Sequence, residues 1–469
     1  MPLSHSRTAH RHIFVSILIV LITCAAVSFE PPPAAAEPTS PHDRFYDRPT
    51  GLDAAAPGAI LRARKVNVRA LQLLPVNVDA WQLLYRTTGM DGEPDATVTT
   101  VMVPRGGAGR KLLSYQAATD STLRICNPSF SLINGAPIDF TSPAGPLTFG
   151  LPAAELLLAA AGLERGWTVS IPDHGGLDAR FLTPRQPGWA VLDGIRAVQS
   201  FGKSGVERTD PVGLWGYSGG AIATSWAVEE QSTYAPEINI AGAAMGAPER
   251  DLVGSLKKVN GAAIAGLVPM ALSAIGKDSP EFRGEVAKYL QPGSRRIVDE
   301  IRNHCVGQNG LVNLWFDYRL HLNKPVDVVL GNDIVRRELM ARGISGRIPV
   351  APTYIYNGVS DEVAPISGTD KLARSYCTGG AVVTYRREVL PPNPVPQVMS
   401  THGTVAVTGA PGAFAWLKQH LDGSRPIDSR CDWRTVPTTL ATGEALDVLG
   451  PSFIVNPLRT LLGQPLGTQ

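Results

Sequence analysis

The sequence predicts an α/β fold, a mostly parallel sheet with helices on both faces and an inserted helical segment. Three observations carry that expectation. Between residues 153 and 245, short apolar runs alternate with helix-length segments, the pattern of a parallel sheet covered on both sides. The pentapeptide Gly216-Tyr217-Ser218-Gly219-Gly220 sits between one such run, Val212 to Trp215, and a small-residue helical stretch from Ala221 to Val228. From about Glu249 to Gly346 the alternation stops, and helical signal replaces strand signal.

The first segment reads as a leader rather than as part of the fold. Arg7, His10, Arg11 and His12 form a basic start, Ile13 to Phe29 is an apolar run of 17 residues, and Pro31-Pro32-Pro33-Ala34-Ala35-Ala36 follows. A run of this length is at the lower limit for a membrane anchor. Triple proline ahead of three alanines instead favours a signal peptide, residues 1–36, cleaved after Ala36. Residues 37–65, rich in Pro and Ala, are expected to cross the surface as an arm.

The remaining elements follow in order. Trp81 to Thr88 and Ala96 to Val103 read as strands joined at Asp91-Gly92-Glu93-Pro94, and Lys111 to Ala117 as a third. Ala153 to Arg165 and Gly188 to Phe201 read as helices flanking a buried strand, Thr168 to Ile171. Val212 to Tyr217 and Ile238 to Met245 are further strands. Helices are expected at Ser279 to Leu290 and Ile334 to Arg342, strands at Pro352 to Tyr356 and Ala381 to Tyr385, and a helix from Ala413 to Leu421. The mature chain thus divides into a first core part, 37–248, a helical cap or lid, 249–346, and a second core part with a C-terminal tail, 347–469. An insertion after a strand's carboxyl end lies over the ligand edge of an open α/β sheet.

Composition narrows the function classes. With 44% hydrophobic and 18% charged residues the chain has the makings of a packed globular protein. A net charge of +2 without a basic stripe gives nucleic acid no electrostatic footprint. Of five cysteines, Cys24 falls in the leader, leaving Cys126, Cys305, Cys377 and Cys431. Four cysteines in an exported chain imply two disulfides, with three connectivities open. No C-x-x-C spacing occurs, so the cysteines do not form a zinc pattern.

A strand, a sharp turn and a helix around G-x-S-x-G make a nucleophile elbow, and Ser218 is the only serine that fits it. A serine hydroxyl needs a base to take its proton, and the imidazole base needs a carboxylate to hold its tautomer. In α/β-hydrolases the chain order is serine, acid, histidine. His174 precedes Ser218, His304 and His321 fall in the insertion, and His420 lies late in a helix. His402 remains, in Ser400-Thr401-His402-Gly403, expected in a short loop after the Pro391-to-Pro396 stretch and before a helix. For the acid, the strand ending at Asn357-Gly358 is followed by Asp361 and Glu362, with Asp361 preferred; Asp370 lies in the next helix and is the weaker choice.

Taken together, these segments resemble the secretory lipases related to Candida lipase A. The elbow, Asn357-Gly358-x-x-Asp361-x-x-x-Pro365, His402-Gly403 and Ile171-Pro172-Asp173-His174 carry the likeness. So do Ser114-Tyr115-Gln116 through Asp120 to Cys126-Asn127-Pro128-Ser129, and Leu192-Asp193-Gly194-Ile195-Arg196-Ala197. The resemblance spans about residues 60–425 and implies an α/β-hydrolase with a helical cap that cleaves acyl esters without cofactor or metal. It also implies an oxyanion hole from Asp120 and Gly219, and disulfides Cys126–Cys305 and Cys377–Cys431. One departure is Gly175-Gly176, where family members often carry Glu-Gly.

The sequence therefore points to an extracytoplasmic serine ester hydrolase in which Ser218 attacks, His402 shuttles the proton and Asp361 orients His402. The expected partners are small or lipid acyl esters and a transient lipid surface. An acyltransferase, a serine peptidase and a catalytically silent envelope-binding protein are the alternatives on the same fold.

Overall fold

The computed structural model describes residues 43–467 apart from 108, 135, 143–144, 391–399 and 425–429. The expected leader, the start of the arm and the Pro391-to-Pro396 stretch lie outside the described residues.

Ten strands form one sheet: β1 Ile60–Val66, β2 Asp79–Thr88, β3 Pro94–Val103, β4 Gly109–Gln116, β5 Trp167–Pro172, β6 Val212–Tyr217, β7 Ile240–Gly246, β8 Thr353–Gly358, β9 Val383–Glu388 and β10 Cys431–Val436. Their spatial order is β1-β2-β3-β5-β4-β6-β7-β8-β9-β10. The first three strands pair antiparallel, and β3 meets β5 antiparallel. Every pairing from β5 onward along the sheet is parallel. This is the mostly parallel α/β sheet that the alternation predicts, with an antiparallel edge.

Side chains on the parallel strands alternate between two buried faces. Trp215, Tyr217, Tyr354 and Tyr356 point to one side, where they pack with Phe414 and Trp416 of a helix at Ala410–Leu421. Leu214, Ile355 and Met245 point to the other, against Val191 and Leu192 of a helix at Gln186–Ser200 and Ala223 and Ala227 of one at Gly219–Tyr234. Burial on both faces explains why these strands read as continuous apolar runs rather than as polar–apolar alternation.

In chain order the helices of eight or more residues before β7 are α1 Leu151–Glu164, α2 Gln186–Ser200 and α3 Gly219–Tyr234. Between β7 and β8 come seven helices: α4 Leu252–Val259, α5 Leu267–Asp278, α6 Pro280–Tyr289, α7 Ser294–Ile301, α8 Val306–Val312, α9 Val326–Gly331 and α10 Asp333–Ala341. α11 Ile366–Thr378, α12 Thr401–Thr408 and α13 Ala410–Leu421 follow β8 and β9. The helices between β7 and β8 share an apolar cluster with α3: Leu252, Ile275, Phe282, Val335 and Leu339 pack with Ile222 and Trp226.

Three local expectations need correction. Residues 60–66 of the supposed arm are a full edge strand, β1, which pairs with β2 along its length. β10 is not foreseen from the sequence; its side chains are exposed or half-buried, and it joins the sheet through its backbone. His402 lies in the first turn of α12 rather than in a loop, because Ser400 caps that helix by accepting from the Gly403 N–H at 2.9 Å.

Candidate active site

Four loops at the carboxyl ends of β4, β6, β8 and β9 deliver the candidate residues to one edge of the sheet. Asp120 follows β4, Ser218 ends β6, Asp361 follows β8, and His402 opens the helix beyond β9. This edge is where an open α/β sheet binds its ligand.

Ser218 has φ +52° and ψ −120°, a conformation that side chains rarely adopt and that costs on the order of 1–3 kcal/mol. The close approach of strand and helix enforces it. A Cβ on Gly216 would lie 2.5 Å from the Gly220 carbonyl carbon, and one on Gly220 would lie 1.8 Å from the Gln116 oxygen. The Ser218 N–H donates to the Gly246 carbonyl of β7 at 2.8 Å, pinning the turn to the neighbouring strand.

The hydroxyl so presented meets His402. Ser218 Oγ lies 2.8 Å from His402 Nε2, and His402 Nδ1 lies 2.8 Å from Asp361 Oδ2. Asp361 is fully buried, and its other oxygen accepts from the Val363 and Ala364 N–H groups, both at 2.8 Å. Those bonds hold the carboxylate plane toward the imidazole. Glu362, the second candidate, turns elsewhere: it accepts from the Ser400 hydroxyl, and at 3.3 Å from the His402 backbone N–H. Asp370 accepts from the Tyr385 hydroxyl at 2.8 Å.

Asp120 and Gly219 face each other beside Ser218. A Cβ on Gly219 would lie 2.1 Å from Asp120 Oδ1, so glycine leaves room for the Asp120 carboxylate in its present position. Asp120 has φ +45°. The loop that carries it is held from behind. Half-buried Glu155 accepts from the Tyr115 hydroxyl at 2.9 Å and from the Ala118 N–H at 3.2 Å, while His174 Nε2 bonds the Ala117 carbonyl at 2.8 Å. His174 is thus a buried prop for this loop.

A narrow cavity opens at Ser218 and Gly219. Its interior offers about 50 Å³ to the centre of a water molecule. Ile222 of α3 and Leu252, Val259, Leu267, Val268 and Ile275 of the α4–α5 region supply its apolar wall. Such a passage suits a linear hydrocarbon chain.

Comparison with known proteins shows the family. The secretory lipase family profile matches residues 143–429. The chain is 34% identical to Lipase A of Arthroderma benhamiae across 91% of this chain and 88% of the relative. This chain belongs to the secretory lipase family. A Mycobacterium tuberculosis protein named "Probable inactive lipase" is 35% identical, over 90% of this chain and 92% of its own. Among solved structures, Candida antarctica lipase A superposes with a TM-score of 0.74 at 26% identity, covering 91% of this chain and 97% of that one.

Electrostatics at the site of this secretory lipase follow from burial and from the carboxylates around His402. Burial pulls the imidazole pKa down, but Asp361, Glu362 and Asp120 outweigh it and leave it above its ordinary 6.5. Burial pushes the Asp120 carboxyl up to about 6, against the pull of His402.

Two further features of this family member have local explanations. At Gly175 a Cβ would lie 2.3 Å from the Arg180 carbonyl oxygen, so this chain has no room for a longer residue there. The disulfides join Cys126 to Cys305 and Cys377 to Cys431, with sequence separations of 179 and 54. The first ties the segment after Asp120 to the helices between β7 and β8.

Sequence reasoning missed three contributors: Glu362 as a backbone clamp, Glu155 behind the Asp120 loop, and Glu249 in the cavity wall. Only Glu362 left a signal, through its place beside Asp361 and opposite a Ser400 cap.

Proposed function

We propose that this secretory lipase is an exported serine ester hydrolase that cleaves acylglycerols or other acyl esters through an acyl-enzyme. The observation that carries the reading is the continuous Ser218–His402–Asp361 chain, two contacts of 2.8 Å, opening on an apolar cavity.

His402 Nε2 takes the proton as Ser218 Oγ attacks the ester carbonyl, and Asp361 holds the Nδ1–H tautomer and stabilises the imidazolium that forms. Charge developing on the carbonyl oxygen is received by the N–H groups of Gly219 and Asp120. The imidazolium then protonates the departing alcohol, and water, activated by the same histidine, releases the acid. Residues 249–346 act as a cap whose apolar helices hold the acyl chain and exclude water. Two disulfides suit an oxidising compartment. Exposed Leu311, Val312, Leu314 and Leu320 offer apolar contact to a lipid surface.

The name of the M. tuberculosis relative keeps a second reading in view, a protein of this fold without turnover. Hydrolysis of a chromogenic short-chain ester by the purified protein separates the two. Turnover that disappears in Ser218→Ala supports the hydrolase, and no turnover on any ester supports the silent protein.

A further inference from the structure

Glu249 is a carboxyl out of place. It lies in the loop between β7 and α4, three residues beyond Gly246, whose carbonyl pins the Ser218 N–H. It is 7% exposed and forms part of the same cavity wall as Ser218. Its Oε1 accepts from the Asp251 N–H at 2.7 Å, while its buried Oε2 accepts no hydrogen bond among the described residues. The Ser255 hydroxyl lies beside the carboxyl, but its proton goes to the Val363 carbonyl.

Among the described residues, no ion pair to Glu249 forms. Its neighbour Arg250 turns away, with donors committed to Glu229, to Ser225 and to the Gly343 carbonyl, and with its guanidinium 4.1 Å from the Trp226 ring centroid. Burial, with repulsion from Asp251 and Asp361 and against the Asp251 N–H and Ser255, pushes its carboxyl up to about 8. At neutral pH it is therefore mainly the uncharged acid, able to donate one hydrogen bond and accept another.

A lone polar group in an otherwise apolar passage costs stability unless something pairs with it, on the order of 1–3 kcal/mol when buried and unmatched. A plain hydrocarbon chain leaves Glu249 in that state. A chain carrying a hydroxyl at the right carbon relieves it, since a hydroxyl both donates and accepts. We propose that Glu249 is a specificity-determining residue of the acyl cavity, which selects acyl esters bearing a hydroxyl on the chain over unsubstituted chains of equal length. The proposal rests on the hydrolase reading above and names its substrate class.

The test compares ethyl octanoate with ethyl hydroxyoctanoates substituted at carbon 3, 6 or 8, with acid release measured chromatographically. At one position or more, the wild-type enzyme favours the hydroxylated ester in kcat/KM by about tenfold to a hundredfold. Glu249→Leu abolishes that preference and improves the plain ester, whereas Glu249→Gln, which can still donate and accept, keeps a preference. Equal or better turnover of the plain ester by wild type at every position overturns the proposal. So does a preference that survives in Glu249→Leu. If Glu249→Leu does not fold, the wild-type ratios and Glu249→Gln decide. Failure on every ester, plain ones included, overturns the hydrolase reading and this proposal with it; even turnover of plain and hydroxylated esters overturns this proposal alone.

Discussion

Tyr217 and His402 are joined twice: the Tyr217 hydroxyl donates to the His402 carbonyl at 2.6 Å, and the two rings lie 5.0 Å apart. The residue immediately before Ser218 therefore fixes the position of His402. With the Glu362 contact to the His402 N–H, the histidine is held at both backbone polar groups and at both ring nitrogens. Little freedom remains for the imidazole, which is what a proton shuttle between fixed partners needs.

The two adjacent acids should separate by role. Asp361→Asn is expected to lower kcat by about 10⁴-fold, because it leaves His402 in the wrong tautomer. Glu362→Gln should cost far less, since its amide oxygen can still accept from the His402 N–H while its NH2 donates to the Ser400 hydroxyl oxygen. Steady-state kinetics on one ester measures both, and a severe Glu362→Gln beside a mild Asp361→Asn would reverse the assignment.

At the oxyanion side, Gly219→Ala places a Cβ where Asp120 Oδ1 now lies, 2.1 Å away. The Asp120 carboxylate must then swing away, and if its backbone follows, kcat should fall by up to roughly 10²–10³-fold, the cost of losing one oxyanion donor. Retention of wild-type kcat would remove Asp120 from the site.

Chain-length dependence tests the cavity. Leu267 lines it, whereas Leu272, an equal candidate from sequence, packs behind it in the neighbouring helical clusters. Leu267→Trp should depress activity on long acyl esters more than on acetate esters, and Leu272→Trp should not discriminate. Uniform loss across the series in Leu267→Trp would assign that stretch to packing alone.

A pH effect on stability follows from Glu155. Burial raises its carboxyl from 4.5 to about 8, opposed by the hydrogen bonds from Tyr115 and Ala118. A carboxyl raised in the folded state contributes stability that is fully present below pH 4.5 and lost as pH climbs to about 8. Glu155→Gln carries no such titration, so between pH 5 and pH 8 it should lose less stability than wild type, by about 1 kcal/mol or more. Urea unfolding at the two pH values measures the difference, and parallel declines would contradict the burial argument.

The sequence disclosed what depends on short-range pattern. Buried parallel strands are continuous apolar runs, and the elbow's glycines are local consequences of a close strand–helix approach. β1 escaped notice because it is an edge strand with Arg62, Arg64 and Lys65 along it, preceded by a Pro/Ala-rich stretch. β10 escaped because its exposed residues have no apolar period and its place comes from backbone pairing with β9 and the Cys377–Cys431 bond. α12 was hidden by its β-branched and glycine residues, although the Ser400 cap was present to be read. Glu155 and Glu249 are single carboxylates whose meaning arises only from what surrounds them in three dimensions.

The most direct test of the central claim is active-site titration with diethyl p-nitrophenyl phosphate, followed by peptide mass mapping. Wild-type protein should release about one p-nitrophenolate per chain and carry one diethylphosphoryl group on Ser218, with ester hydrolysis lost in step. Ser218→Ala should give neither the burst nor the label. Labelling at another residue, or ester hydrolysis that persists in fully labelled protein or in Ser218→Ala, would contradict the account.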